Sequence, residues 1–128
     1  MKFTVDKQEQ YTILKLEEDK LDSTLSPDLK SEFVNLNTQG TKNLIVNLSN
    51  TRYSDSSGLS ALLTGNRTFS EAGGEFVLTG LQPMVEKLIA ISQLDKVLNI
   101  LPTDHEGIEN IMMSELEKQM GKQDDSAE

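Results

Sequence analysis

Two neighbouring stretches of the chain decide its fold. Residues 43–48 read Asn-Leu-Ile-Val-Asn-Leu, and residues 53–59 read Tyr-Ser-Asp-Ser-Ser-Gly-Leu. The first stretch is apolar without alternation, which is typical of a strand that is covered on both faces. The second is rich in residues favoured at helix N-termini, and residues 58–72 then show the apolar spacing of a helix. The sequence therefore predicts a buried strand that passes through a polar turn into a helix.

The N-terminal part of the chain predicts a hairpin and then a helix. Residues 3–5 and 11–16 have strand-like patterns, and the connection between them is short enough for a hairpin. Ser26 as the N-cap and Pro27 as the first helical residue predict where the helix begins. Gly40 predicts its end, because the residue that follows a helix often has a positive φ.

The remaining chain continues the alternation of strands and helices. Residues 75–79 and 97–101 predict two further strands, and a helix that opens at Pro83 lies between them. A last helix over residues 104–120 carries an apolar stripe, which consists of Ile108, Ile111, Met112, Leu116 and Met120. We interpret the stripe as packing surface. The alternative is that Met112, Met113 and Met120 form a surface for docking a partner.

The predicted order of elements is ββαβαβαβα. Strand–helix–strand units imply parallel pairing with right-handed crossovers, and the leading hairpin adds an antiparallel pair. The predicted fold class is therefore α/β, with a mixed sheet (leading antiparallel hairpin, then parallel βαβ units) flanked by about four helices. We predict one domain over residues 1–120 and a disordered tail over residues 121–128, which are polar and lack an apolar period.

The composition excludes several classes of function. The net charge is −9, whereas nucleic acids and anionic membrane surfaces bind clustered Lys and Arg. The chain has no cysteine, so disulfide, thiolate–metal and Cys-nucleophile chemistry are excluded. It has no phosphate-binding glycine motif and no cluster of metal ligands, so we expect neither a cofactor nor a metal. No stretch has the pattern of a signal peptide or a membrane span, which predicts a cytoplasmic protein without membrane insertion.

The polar turn before the second helix is the part of the sequence that carries chemistry. Three hydroxyls and a carboxylate crowd residues 54–57, which is more than an N-cap requires. A helix start offers unpaired N–H groups and the positive end of the helix dipole. A phosphate group added at this position would be accommodated by the helix N-terminus.

These residues carry a resemblance to a known family. Residues 55–59, Asp-Ser-Ser-Gly-Leu, after a Leu-Ile-Val-Asn-Leu strand resemble the signature of STAS domains, in particular that of bacterial anti-sigma factor antagonists. The resemblance covers roughly residues 3–101. It includes Leu21-Asp22 before the first helix, Gly73-Gly74-Glu75 before a strand, and the Pro-Met-Val-Glu-Lys-Leu of residues 83–88. Asp55 is preceded in the family by an apolar residue, and here by Ser54.

The resemblance implies a switch that works by phosphorylation. In the family, the Ser directly after the Asp is phosphorylated by a serine kinase of the histidine-kinase-like ATPase fold, which is also the anti-sigma factor. The matching residue is Ser56, with Ser57 as a secondary site. The unphosphorylated antagonist binds the anti-sigma factor and frees the sigma factor; phosphorylation breaks this complex, and a serine phosphatase resets it. The implied partner-binding residues are Asp22, Asp55, Ser56, Ser57 and Gly58.

Two alternatives stay open. The chain could be a STAS subunit of another assembly, such as a lipid-transport ATPase complex or a stressosome-like scaffold. It could also be a small hydrolase with Ser56 as the nucleophile, but a Gly-x-Ser-x-Gly elbow is missing and His105 is the one histidine. We therefore expect a binding protein and not an enzyme, with no catalytic residues.

Overall fold

The computed structural model describes the backbone of residues 1–127 and the side chains of residues 1–121. Within these residues the elements are, in chain order, β1 (Phe3–Lys7), β2 (Thr12–Leu16), β3 (Lys20–Leu21), α1 (Ser26–Thr38), β4 (Leu44–Asn47), β5 (Tyr53–Ser54), α2 (Ser56–Glu71), β6 (Phe76–Thr79), α3 (Pro83–Ile91), a short 3₁₀ helix (Leu94–Lys96), β7 (Asn99–Leu101) and α4 (Asp104–Ala127).

Five of the strands form one mixed sheet, in the order β1-β2-β4-β6-β7. Strands β1 and β2 pair antiparallel, and every later pair in this sheet is parallel. The predicted fold class, a mixed sheet with a leading hairpin and four α-helices, is confirmed.

The two faces of the sheet have separate cores, because successive strand residues point to opposite sides. In β4, Leu44 and Val46 pack with α1, α2 and α3 in the larger core. Ile45 points to the other face, where it packs with Val77 and with Ile111 of α4. Strand β4 is therefore covered on both faces, as its unbroken apolar sequence predicted.

A second sheet consists of only two short strands. Strands β3 and β5 pair in parallel, with Lys20 opposite Tyr53 and Leu21 opposite Ser54. The sequence predicted no strand at either position, because two residues are too few to show a period. This pair places the turn that precedes α1 beside the start of α2.

The start of α1 differs from the sequence prediction. The N-cap residue is Leu25, without a side-chain cap, and Ser26 is already helical. The prediction that Ser26 caps the helix was wrong because backbone bonds initiate it: the N–H groups of Leu25 and Ser26 both donate to the Asp22 carbonyl oxygen. The helix ends at Thr38 with Gln39 as its C-cap, and Gly40 follows the cap as predicted, with a φ of 109°.

Helix α4 packs on the sheet through fewer apolar residues than predicted. Ile111 is buried and Ile108 is half-buried, whereas Met112, Leu116 and Met120 are exposed. Their interpretation as packing surface was wrong because the next contacts of this helix are hydrogen bonds made by Ser114 and Glu115, with residues that directly precede β6 and β4. The helix extends to Ala127, past its predicted end at residue 120. The side chains of the predicted tail beyond Gly121 lie outside the described residues. The division into a domain over residues 1–120 and a tail over residues 121–128 therefore stays a prediction.

Candidate functional site

The crowded polar turn lies where β5 meets α2. Asp55 is the N-cap of α2, with an extended backbone, and Ser56 is the first helical residue. The N–H of Asp55 donates to the carbonyl oxygen of Leu21 at 3.3 Å. The pairing of β3 with β5 thus brings Asp22 and Asp55 to one surface.

The Asp55 carboxylate organises the first turn of α2. Its Oδ1 accepts hydrogen bonds from the Ser57 N–H at 3.0 Å, from the Gly58 N–H at 3.1 Å and from the Ser57 hydroxyl at 2.6 Å. The Ser57 hydroxyl, followed by the Gly58 N–H, holds the pKa of Asp55 below its ordinary value. Asp55 is therefore ionised at neutral pH, and its Oδ1 is already engaged within the protein.

The three serine hydroxyls of this turn have different surroundings. Ser54 is 4% exposed, and its hydroxyl donates to the Asp55 carbonyl oxygen at 3.1 Å. Ser57 is half-buried; its hydroxyl donates to Asp55 and lies 3.2 Å from the Ser26 hydroxyl. Ser56 is exposed, and within the described residues its hydroxyl has no hydrogen-bond partner. Ser56 therefore presents the accessible hydroxyl of the motif.

The glycine of the motif is required by a close approach. A Cβ added at Gly58 would overlap the Ser54 hydroxyl and lie 2.5 Å from the carbonyl oxygen of Leu21. The first turn of α2 therefore rests directly on the backbone of β3, at a distance that only glycine permits. Gly58 itself is buried beneath this turn.

Asp22 is held by the turn that follows it. Its Oδ1 accepts from the Thr24 hydroxyl at 2.6 Å and from the Thr24 N–H at 3.0 Å. These bonds lower the pKa of Asp22, while repulsion from the Asp55 carboxylate acts in the opposite direction. The Ser26 hydroxyl donates to the Asp22 carbonyl oxygen at 2.7 Å, and its oxygen lies 3.2 Å from the Ser57 hydroxyl oxygen.

Two features that support the site were not predicted from the sequence. Thr24 stands two residues after Asp22, a spacing typical of a local side-chain turn that the sequence does show. The second feature is an ion pair: Arg52 Nε lies 2.6 Å from Asp19 Oδ1, and the hydrogen bond from Arg52 lowers the pKa of Asp19. No local pattern marks this pair, because its members are 33 residues apart.

The sequence left open a hydrolase in which Ser56 is the nucleophile, and His105 is the histidine that could serve as its base. His105 is 80% exposed in the first turn of α4, where its Nε2 lies 2.9 Å from Glu109. Helices α4 and α2 pack on opposite faces of the sheet, and in the described part of the chain no hydrogen bond joins His105 to Ser56. In the described part of the chain, no three acidic or histidine side chains are grouped so that they could hold a metal ion. Nor does any described helix combine the length and apolar character of a membrane span.

Comparison with known families identifies this arrangement of elements. The family model described as the STAS domain matches residues 2–107. That span includes the β3–β5 pair, the whole of α2 and every residue of the site.

Solved structures with the same fold include proteins described as regulators. An anti-sigma-factor antagonist (STAS) domain protein from Planctomyces limnophilus is 19% identical, with a TM-score of 0.76 over 86% of this chain and 97% of that one. The anti-sigma factor antagonist SpoIIAA in its unphosphorylated form is 20% identical, with a TM-score of 0.73 over 87% and 96%. The Bacillus cell fate determinant SpoIIAA in the phosphorylated form is also 20% identical, with a TM-score of 0.66 over 86% and 99%. At these identities the likeness shows a common fold.

Proposed function

Because the chain belongs to the STAS domain family, we propose that it is an anti-sigma factor antagonist switched by phosphorylation of Ser56. When unphosphorylated, it binds an anti-sigma factor that is also a serine kinase of the histidine-kinase-like ATPase fold. Phosphorylation releases it, and a serine phosphatase in the cytoplasm restores the binding form. The observation that carries the proposal is the exposed hydroxyl of Ser56, which has no hydrogen-bond partner among the described side chains, between two serines whose hydroxyls are engaged.

The fold can accept the modification without rearrangement. The Ser56 side chain is exposed, so a phosphate there stays in contact with water. It adds about 1.5 to 2 negative charges at the N-terminus of α2, where the helix dipole favours an anion. The Asp55 carboxylate is close and opposes the phosphate, but its charge is already compensated by two N–H groups and a hydroxyl.

The same modification weakens a complex that covers Ser56. A partner surface that fits a neutral hydroxyl leaves no water for a phosphate, and burial of an unpaired charge is costly. A loss of about 3 kcal/mol of binding free energy lowers the affinity roughly 100-fold. The switch therefore acts on the complex and leaves the antagonist folded.

The site residues divide into those that contact the partner and those that position Ser56. Asp22 and Asp55 are partly exposed carboxylates on the same surface as Ser56, so the complementary partner surface carries basic residues. Ser57 holds the Asp55 carboxylate through its hydroxyl, and Gly58 allows the first turn of α2 to pack closely against β3. This assignment makes the chain a binding protein and not an enzyme.

Calorimetry with the cognate anti-sigma kinase in the presence of ADP tests this function. We expect the wild-type chain and Ser56→Ala to bind equally well, and the chain phosphorylated at Ser56 to bind at least about 100-fold more weakly. Equal affinity of the phosphorylated and unphosphorylated chains contradicts the switch. A chain that binds no anti-sigma kinase but co-purifies with transporter or scaffold subunits belongs instead to the alternative assembly.

A further inference from the structure

The outer face of α4 carries a patch of large apolar side chains. Met112, Met113, Leu116 and Met120 are 40%, 56%, 49% and 54% exposed. Residues three and four apart lie on one side of a helix, so these four side chains adjoin. Together they expose roughly 400 Å² of apolar surface, which is within the range of patches that are often functional. We call them the α4 patch.

Helix α4 does not need the α4 patch to stay on the sheet. Near its start, Asp104 accepts from the Thr79 hydroxyl at 2.6 Å and from the Asn47 amide at 3.0 Å. Farther along, Glu115 accepts from the Asn43 amide at 3.2 Å, and Lys118 donates to the Gly73 carbonyl oxygen at 2.7 Å. Because these bonds and Ile111 hold the opposite side of the helix, the α4 patch points away from the domain.

The surroundings of the α4 patch are acidic. Glu106, Glu109 and Glu117 are exposed on the same helix. Lys118, the one Lys or Arg among residues 104–121, is already bound to the Gly73 carbonyl oxygen and lies 3.9 Å from Glu115. The surface therefore combines an apolar strip with a rim of acidic side chains, of which Glu109 also contacts His105.

We propose that the α4 patch binds an amphipathic helix of a partner protein, with an apolar face that covers the methionines and a rim of Lys or Arg. Methionine side chains adapt their shape, which suits a surface that receives a helix. The acidic rim selects for the opposite charge on the partner. This interaction goes beyond the phosphorylation switch, because α4 and α2 lie on opposite faces of the sheet.

A second copy of the chain fits this surface less well. Each copy carries a net charge of −9 and the same acidic rim, so self-association would bring like charges together. The exposed apolar area of the α4 patch is also roughly half of the 800 Å² or so that each partner buries in a stable interface. An anionic membrane is disfavoured by the same charges.

A labelled synthetic helix tests the proposal with the full chain. The probe is an 18-residue peptide with Leu on one face and Lys on the other, and the control peptide has Glu in place of Lys. Binding is followed by fluorescence anisotropy. The first variant combines Met113→Gln with Leu116→Gln, and its matched control combines Met84→Gln with Ile91→Gln, which removes two exposed apolar side chains from α3. A second variant combines Glu109→Lys with Glu117→Lys.

The proposal predicts that the Leu/Lys peptide binds and that the Leu/Glu peptide does not. The α4 variants each lose at least about tenfold in affinity, as expected for the centre of an interface, while the α3 control binds like the wild type. The proposal is overturned if the Leu/Lys peptide does not bind the wild type, or if it binds the Met113/Leu116 variant as tightly as the wild type. The proposal is also overturned if light scattering shows that the wild type is a dimer and that the Met113/Leu116 variant is a monomer. The occupant of the α4 patch would then be a second copy of the chain. None of these outcomes bears on the Ser56 switch, which does not involve α4.

Discussion

The hydroxyl of Ser57 lies 2.6 Å from Oδ1 of Asp55, and this hydrogen bond distinguishes two adjacent serines. Ser57 is turned inward to complete the cap of α2, and Ser56 is left exposed, its hydroxyl unbonded within residues 1–121. The motif therefore contains one serine that holds the helix start and one whose side chain faces solvent.

The cap makes the acid titration of Asp55 depend on Ser57. The Ser57 hydroxyl is the largest cause of the lowered pKa of Asp55, whose ordinary value is 3.8. A depressed carboxylate pKa stabilises the fold above the ordinary pKa, and this contribution is lost as the pH falls below about 3.8 and through the folded-state pKa. We expect Ser57→Ala to raise the pKa of Asp55. The stability that the protein loses through Asp55 as the pH falls should then be smaller.

Carbon-13 NMR titration of the carboxyl groups measures this shift. Asp19 serves as the internal reference, because its pKa is lowered mainly by the hydrogen bond from Arg52 and is expected to stay the same in the variant. An Asp55 pKa that does not change in Ser57→Ala would show that the cap does not depend on this hydroxyl.

Gly58 is expected to resist replacement although it is helical. Gly58→Ala places a methyl group against the Leu21 backbone, at an expected cost of about 1–3 kcal/mol in the free energy of unfolding. Gly121→Ala is the matched control in α4, where an added Cβ meets nothing within 4 Å, so it should not destabilise the protein. Urea denaturation compares the two; equal stability of the two variants contradicts the close approach of α2 to β3.

Much of this site follows from local sequence patterns, and the remainder depends on contacts between distant residues. The passage from β4 to α2 was predictable because a fully apolar strand, an N-cap carboxylate and a helical period follow one another. The β3–β5 pair was not, since its contact between Leu21 and Ser54 joins two-residue strands that are far apart in the sequence. The apolar period of α4 indicated a helix, but it could not show that Met112 and Met120 lie on the solvent side.

Asp22 is expected to contribute charge to partner binding. Asp22→Lys reverses the charge on the proposed binding surface, so we expect weaker binding to the anti-sigma kinase and a larger loss at low salt, where screening is least. Glu9→Lys makes the same charge change in the β1–β2 hairpin and should leave the affinity nearly unchanged. If calorimetry gives the same loss for both variants, the effect comes from net charge and not from this surface.

The segment after Gly121 is predicted to be dispensable for folding. The bond between Lys118 and the Gly73 carbonyl oxygen lies N-terminal to it, as do the packing contacts of Ile108 and Ile111. A chain that ends at Gly121 should therefore melt at the same temperature as the full chain in circular dichroism. A fall of many degrees would show that residues 122–128 pack against the domain.

Mapping the phosphosite is the most direct test of the central claim. The chain is incubated with ATP and its cognate anti-sigma serine kinase, and the modified residue is identified by fragmentation mass spectrometry. We predict phosphate on Ser56, its retention in Ser54→Ala and Ser57→Ala, and its loss in Ser56→Ala. Phosphate confined to Ser54 or Ser57 in the wild-type chain would contradict the assignment of Ser56 as the switch.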